Sequence, residues 1–463
     1  MRRPKITRRR ILFLVVAWLL VIAGSLTITA LRVRWANLKE LSAQFPEWKT
    51  PGRGSRVIVF APHCDDESVG AGGLIRQAAA GGAQVWVVLV TNGDGFWYAA
   101  FRNRRALVVR PRYYVDFGYR RQKESFAALR ELGVARSHVI TLGYPDRGLL
   151  AMWTTNWHAP YTSPYTRDPR SPYDDSFTPR AVYTGEQFLS DLKKLLRKVD
   201  PTDIYIPHPN DQHSDHWATS AFVTEALYDL GWLERRNVGL YLVHRGDWPV
   251  PQGLHPDDPL APPAKLVGMD TSWYDYPLDA DCVRAKKAAV AMFRSQVGVV
   301  RFLRSFVRRN ELFGARPCEA RVASASIRLD GRCGDWRGVE PIARDPADDG
   351  LVTHSRPGAD LVGLYAAEDR DRLYLRVRVR GTVTRTPTYE IQLHPLGRSE
   401  GTTVLAIRRG SPPPAGWSAA FGSRDIELSC PIDRWKGTPL LVAAAARISW
   451  YSVDRTAYRL IVP

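Results

Sequence analysis

The hydrophobic period of this 463-residue chain changes once, near residue 317. Up to that point short apolar runs alternate with amphipathic stretches. The runs are VIVFA at 57–61, VWVVLV at 85–90, HVITL at 138–142, DIYIP at 203–207 and VGLYLV at 238–243. Between them lie segments of helical period such as RRQKESFAALREL at 120–132, FLSDLKKLLRKV at 188–199 and WATSAFVTEALYDL at 217–230. Fully apolar strands alternating with helices predict a mostly parallel sheet covered by helices on both faces, an α/β unit over residues 55–316. Sites in such sheets form at the carboxyl ends of the strands. Beyond 317 strict alternation takes over. Leu373 to Arg380 places Leu and Val on one face and Tyr and Arg on the other, and similar runs at 361–366, 388–393, 402–407, 425–429 and 440–448 are separated by Gly, Pro and Asp turns. That pattern predicts an antiparallel β-sandwich over residues 317–463.

The amino end carries a different signal. Residues 1–10 hold six basic side chains, and Ile11 to Leu31 contains no charge. As a helix those 21 residues span about 31 Å, a bilayer's hydrocarbon core. The segment reads as a transmembrane signal anchor or a cleaved signal peptide, and the poor cleavage site Ile28-Thr29-Ala30 favours the anchor. Arg32, Arg34 and Lys39 are the basic residues that soon follow, so the positive-inside bias holds the N-terminus in the cytoplasm and places the rest on the exported, periplasmic or extracellular, side. Residues 32–54 read as a linker. The net charge of +18 has its densest part in that basic start, and no nucleic-acid reading element accompanies it. Five cysteines are too few for a disulfide scaffold; Cys318 and Cys333 are the nearest pair, and an exported chain permits a bridge between them.

Two clusters carry chemistry. The first apolar run empties into Pro62-His63-Cys64-Asp65-Asp66-Glu67, and DIYIP empties into His208-Pro209-Asn210-Asp211-Gln212-His213-Ser214-Asp215-His216. A histidine with carboxylates at a strand's end combines an imidazole with oxygen donors and suits zinc. Adjacent Asp65 and Asp66 point apart from an extended backbone and divide the work, one binding metal and the other facing the attacking water. His213 and His216 are three apart, near one helical face, so one completes a His-Asp-His site while the other stays free for catalysis. His208 is either a supporting donor or a strand-end residue. The irregular stretch 143–183 holds Trp153, Trp157, Tyr161, Tyr165 and Tyr173, which either pack onto their own unit or stack on a substrate ring.

PHCDDE and HSDH, each after a strand, resemble the signature of the LmbE-like or PIG-L family of zinc-dependent N-deacetylases, which remove acetyl from N-acetylglucosamine-type sugars. Thr91-Asn92-Gly93-Asp94, Arg121-x-x-Glu124, Gly143 to Leu149 and Lys287 with Ser295-Gln296 extend the resemblance over about residues 55–315. It implies a Rossmann-like fold with zinc held by His63, Asp66 and His216. It also implies Asp65 as general base on the attacking water and His213, oriented by Asp215, as the imidazolium that stabilises the oxyanion or protonates the leaving amine. Arg121 and Asp146 would contact the sugar, although Arg121 could instead bridge Glu124 or face solvent, and Asp94 would contact the sugar or equally cap or orient. Cys64 stands where the family has Pro and is read as a buried spectator. The substrate implied is an N-acetylated glycan or glycolipid, met on the exported side of the membrane; a thiol-sugar amidase and a non-catalytic glycan-binding surface protein are the alternatives. The C-terminal region, with Ile327 to Gly331, Asp335-Trp336 and Asp369 to Leu375, resembles family 9 carbohydrate-binding modules. Trp336, Trp435 and Trp450 there are either core or ligand-facing, and Asp345, Asp348 and Asp349 could bind calcium.

Overall fold

In the computed structural model of the protein, which describes residues 45–463 apart from 105–109, 297 and 450, five of the apolar runs form parallel strands. They are β1 (Arg56–Ala61), β2 (Gln84–Thr91), β3 (Val139–Tyr144), β4 (Asp203–Pro207) and β5 (Asn237–Tyr241), joined at one edge by β6 (Trp273–Pro277) and β7 (Asn310–Ala315). The order is β3-β2-β1-β4-β5-β7-β6, with β7 antiparallel to both neighbours. Side chains alternate across the pleat into two cores. Ile58, Phe60, Val88 and Val90 face helices α3 (Gly185–Val199) and α4 (Ser214–Asp229). Val57, Val59, Val87 and Leu89 face α1 (Asp66–Ala80), α2 (Pro111–Glu131) and α5 (Ala280–Val290). Burial on both faces is why these strands read as unbroken apolar runs. The strand order reverses between β1 and β4, which leaves a crevice at their carboxyl ends. Both chemical clusters of the sequence open into it.

The C-terminal strands form two sheets. One runs β14 (Ser418–Phe421), β15 (Asp425–Pro431), β11 (Arg372–Val379), β10 (Leu361–Glu368) and β8 (Ala323–Ser324), with β9 (Ala343–Arg344) also on β10. The other runs β13 (Thr403–Ile407), β12 (Thr388–Pro395), β16 (Leu440–Ile448) and β17 (Tyr451–Arg455), with β18 (Arg459–Ile461) on β16. Leu375, Val377, Ile391, Leu393, Leu428 and Val442 fill the space between them. The polar face of β11 departs from the simple alternation, because Tyr374 and Arg376 are buried too. Trp336 lies over that face and donates its indole N–H to Glu427, and the Arg376 guanidinium sits 4.5 Å from the Tyr365 ring centre.

The sheets pack on the α/β unit through its α4 face. The indole N–H groups of Trp157 and Trp217 donate to the carbonyls of Ser399 and Thr456, and Tyr458 Oη bonds Ser220 and Thr224. His394 stacks on Trp153 at 3.9 Å and meets buried Glu225 at 3.0 Å.

One expectation is corrected here, and the cysteine pairing left open by the sequence is decided. The anchor expected over residues 11–31 lies outside the described residues, and among the described residues no helix is long and apolar enough to cross a membrane. The transmembrane helix, the membrane as a partner and the exported location built on it are therefore withdrawn. All five cysteines are free, so Cys318 and Cys333 form no bridge.

Candidate metal centre

His63 and Asp66 meet in space because the turn after β1 carries His63 and starts α1 at Asp66, three residues further on. Asp65 occupies that turn at φ 151°, a strained value for a residue with a side chain. Its amide is fixed by the His63 carbonyl at 3.1 Å and by Glu67 Oε2 at 3.1 Å. Glu67 is itself buried and accepts from Ser68 and Ser125, and burial beside Asp65 pushes its carboxyl up to about 8. The second half is built at the start of α4. His213 caps the helix by accepting the Asp215 amide at Nδ1, and His216 follows on the inner face of the first turn.

Three donor atoms converge. His63 Nδ1 lies 3.1 Å and His216 Nε2 2.9 Å from Asp66 Oδ2, and the two nitrogens are 3.3 Å apart. Ligands of a tetrahedral ion with bonds near 2.0–2.1 Å stand about 3.3 Å from one another, so the three fit a single zinc-like ion. Their charges ask for one. Burial works against a charged His216, yet Asp211 and Asp66 raise it to about 9; His63 is likewise raised, against burial, by Asp146, Asp215 and Asp66. The site gathers positive charge at the point where a cation would sit. His244 extends the group, its Nε2 3.8 Å from Asp66 Oδ1.

The supporting residues differ from the sequence reading. The sequence gives Asp215 the task of orienting His213, but its carboxylate accepts the Arg147 amide at 2.6 Å and lies 3.3 Å from His63 Nε2. Only its backbone N–H reaches His213. The carboxylate beside His216 is Asp211, 3.1 Å from Nδ1 and locked by the amides of His213, Val243 and His244. A carboxylate on the far nitrogen of a ligating imidazole fixes its orientation. Burial and the neighbouring rings of His63, His244 and His216 hold His213 well below the usual imidazole range, which favours its neutral form. Arg121, also buried, bridges neither Glu124 nor open solvent. It pairs with Asp65 at 3.0 Å and donates to the carbonyls of Gly93 and Cys64. A side chain at Gly93 would put its Cβ 1.7 Å from Arg121 Nη1. Glu124 is held by Ser295 instead. Asp146 accepts the Gly95 amide and lies 3.4 Å from His63 Nε2. Asp94 accepts from Tyr173 at 2.6 Å, and burial beside Asp146 raises it to about 7. Of the aromatics in the irregular stretch, Trp153, Trp157 and Tyr173 are buried, whereas Tyr161 and Tyr165 are half-buried. Cys64 is buried with its thiol toward the Thr91 carbonyl. His208 is buried, stacked on Trp273 and bonded to Thr271.

Residues 58–227 match the protein family described as PIG-L, GlcNAc-PI de-N-acetylase. This part of the chain is similar to the PIG-L/LmbE-like deacetylase superfamily. It is 28% identical over 171 residues to a 1D-myo-inositol 2-acetamido-2-deoxy-alpha-D-glucopyranoside deacetylase of Corynebacterium glutamicum, over 35% of this chain. The chain spans about half the length of that curated relative, 49%. Among solved structures, a conserved protein of Thermus thermophilus is 22% identical, with a TM-score of 0.35, over 57% of this chain and 96% of its own. The N,N'-diacetylchitobiose deacetylase of Pyrococcus horikoshii is 20% identical, with a TM-score of 0.36, over 60% of this chain and 90% of its own. The PIG-L match ends at residue 227, and these comparisons give no support to the likeness of the C-terminal sheets to family 9 carbohydrate-binding modules, which is set aside.

Proposed function

We propose that the protein is a zinc-dependent amidohydrolase that removes the acetyl group from an N-acetylated amino sugar of the N-acetylglucosamine type. The observation that carries this reading is the convergence of His63 Nδ1, Asp66 Oδ2 and His216 Nε2 beside a fourth group, Asp65, that the donor set leaves free. Zinc on those three side chains would supply Lewis acidity toward the amide carbonyl and make water more acidic. Asp65 takes the proton from the attacking water. Its carboxyl is raised by burial, with Arg121 opposing and Asp66 adding, to about 6, near the pH at which a base must both accept and release protons. Arg121 is then a positioning residue, because its guanidinium is occupied by Asp65 and two carbonyls. His213, accepting at Nδ1, presents an Nε2–H that can donate a hydrogen bond to the oxyanion, and the proton taken up by Asp65 passes to the departing amine. Asp146 and Asp94 are buried beside the same site, Asp146 against His63 and Asp94 against Tyr173, from where they would support the binding of the sugar. The Corynebacterium relative is a deacetylase of a 2-acetamido sugar, which supports the same bond for this chain.

The test combines elemental analysis of the purified chain with amine release from a panel of N-acetylated glycans, N-acetylglucosamine conjugates among them. One zinc per chain and amine release from at least one conjugate are expected. Stoichiometric zinc in His216→Ala, or a zinc-loaded chain that releases no amine from any member, would overturn the assignment.

A further inference from the structure

A second set of carboxylates lies away from the zinc ligands, where the sandwich meets the loops after β4 and β5. Asp345 follows β9, Asp349 lies four residues on, and Asp454 projects from β17; one oxygen from each falls within 4.8 Å of the others. Asp360, fully buried, adds its charge from the start of β10. The cations nearby are Arg245, Arg380 and Arg455, and none of them forms an ion pair with Asp345 or Asp454 among the described residues. Arg245 lies 3.5 Å from Asp349 and closer, at 3.2 Å, to Asp247, and Arg380 pairs with Asp360. Among the described residues Asp454 accepts only backbone amides, those of Leu361 and Arg455. Asp345 is 4% exposed, and its Oδ2 has no hydrogen-bond partner among the described residues. A buried carboxylate left unpaired among other carboxylates is costly, since both desolvation and repulsion oppose it. Burial and mutual repulsion accordingly push Asp345 and Asp454 well above the usual carboxylate range.

We propose that Asp345, Asp349 and Asp454 bind a calcium ion that joins the sandwich to the loop carrying Asp211 and His213. The donors are all oxygen, with no imidazole or thiolate, which selects a hard cation over zinc. Calcium takes oxygens at 2.3–2.6 Å, so opposite ligands stand about 4.6–5.2 Å apart, and the three carboxylates fit inside that sphere. The link to the α/β unit runs through Gln212, whose amide donates to the Asp349 carbonyl at 3.1 Å and whose Oε1 accepts the Gly246 amide. Gln212 stands between Asp211 and His213, so ordering Asp349 orders the loop that positions the His216 imidazole. The sequence points to Asp345, Asp348 and Asp349; the fold exchanges Asp348, which turns to His354 and Arg380, for Asp454.

The experiment uses the full chain, stripped with a chelator, reloaded with one equivalent of zinc and then titrated with CaCl2. Equilibrium dialysis with radioactive calcium reads binding, and the melting temperature reads its coupling to folding. One calcium per chain is expected, with a melting temperature that rises with CaCl2. In Asp345→Asn the affinity should fall about tenfold or more and the melting temperature should cease to respond, with zinc content unchanged. Asp454→Asn serves as a second variant and should behave alike. A wild-type chain that binds no calcium at about 5 mM CaCl2, above the range of weak extracellular modules, overturns the proposal. So does calcium binding that survives both substitutions, or an equal response to MgCl2.

Discussion

Replacing Asp65 by asparagine should raise the stability of the metal-free protein while removing most of its activity. The Asp65 carboxyl is raised from about 3.8 to about 6, because burial disfavours its charge, Arg121 only partly offsets this, and Asp66 adds repulsion. A carboxyl raised in the folded state stabilises the fold while protonated; its contribution is complete below about pH 3.8 and is lost as pH rises through about 6. That rise corresponds to a penalty on the order of 3 kcal/mol at alkaline pH. Asparagine stays neutral, keeps an oxygen for Arg121 and never incurs this loss. Its advantage over wild type should be present at pH 5 and roughly double by pH 8, read by urea unfolding of chelated protein. In the zinc-loaded enzyme the same variant should keep its metal and lose about 100-fold to 10,000-fold in kcat, since the amide cannot take a proton. Wild-type turnover in Asp65→Asn would remove the base from this position. An advantage that fails to grow between pH 5 and pH 8 would show that the carboxyl is not held against its charge.

Other predictions rest on separate parts of the molecule. His216→Ala should lose most of its bound zinc, by elemental analysis, because it deletes one of three donors and strands Asp211 and Asp66. His208 is lowered to about 3 by burial and by Arg459, so its contribution is present above about pH 6.5 and is lost as pH falls toward 3. The stability difference between wild type and His208→Gln should therefore shift against wild type by about 3 kcal/mol between pH 7 and pH 4 in chemical denaturation. Gly70→Ala places a Cβ 2.3 Å from the Tyr241 ring, whose hydroxyl is tied to the Phe60 carbonyl at 2.6 Å. Overpacking there should destabilise by about 1–3 kcal/mol, measured by thermal unfolding.

What could be read from the chain was local. The parallel strands are legible because burial on both faces leaves an unbroken apolar run, and the gathering of His63, Asp66 and His216 follows from two motifs that each end a strand on the same side of one sheet. Relations across the fold were not legible. Asp215 looks like the partner of His213, two residues away, but the first turn of α4 aims its carboxylate at His63, while Asp211 reaches His216 from the loop before the helix. Arg121 has Glu124 one turn along its own helix, yet its partner is Asp65, 56 positions earlier. His244 belongs to no motif and joins the site only because β5 lies beside β4. The alternation in β11 identifies its inner face correctly and cannot see that Trp336 covers the outer one.

The packing of the sandwich on α4 bears on how such a chain can be divided and inherited. Trp217, which donates to the sandwich, is the immediate neighbour of His216, and Trp153 and Trp157 lie under His394 and Ser399. An α/β unit released from the sandwich would present these indoles to water as a contiguous apolar face, beside the uncompensated Glu225. The two halves are therefore not interchangeable parts. A recombination event that moves the N-terminal unit to a different neighbour must supply a matching surface or rewrite the helix that carries His216, and the simplest course is for both halves to travel together.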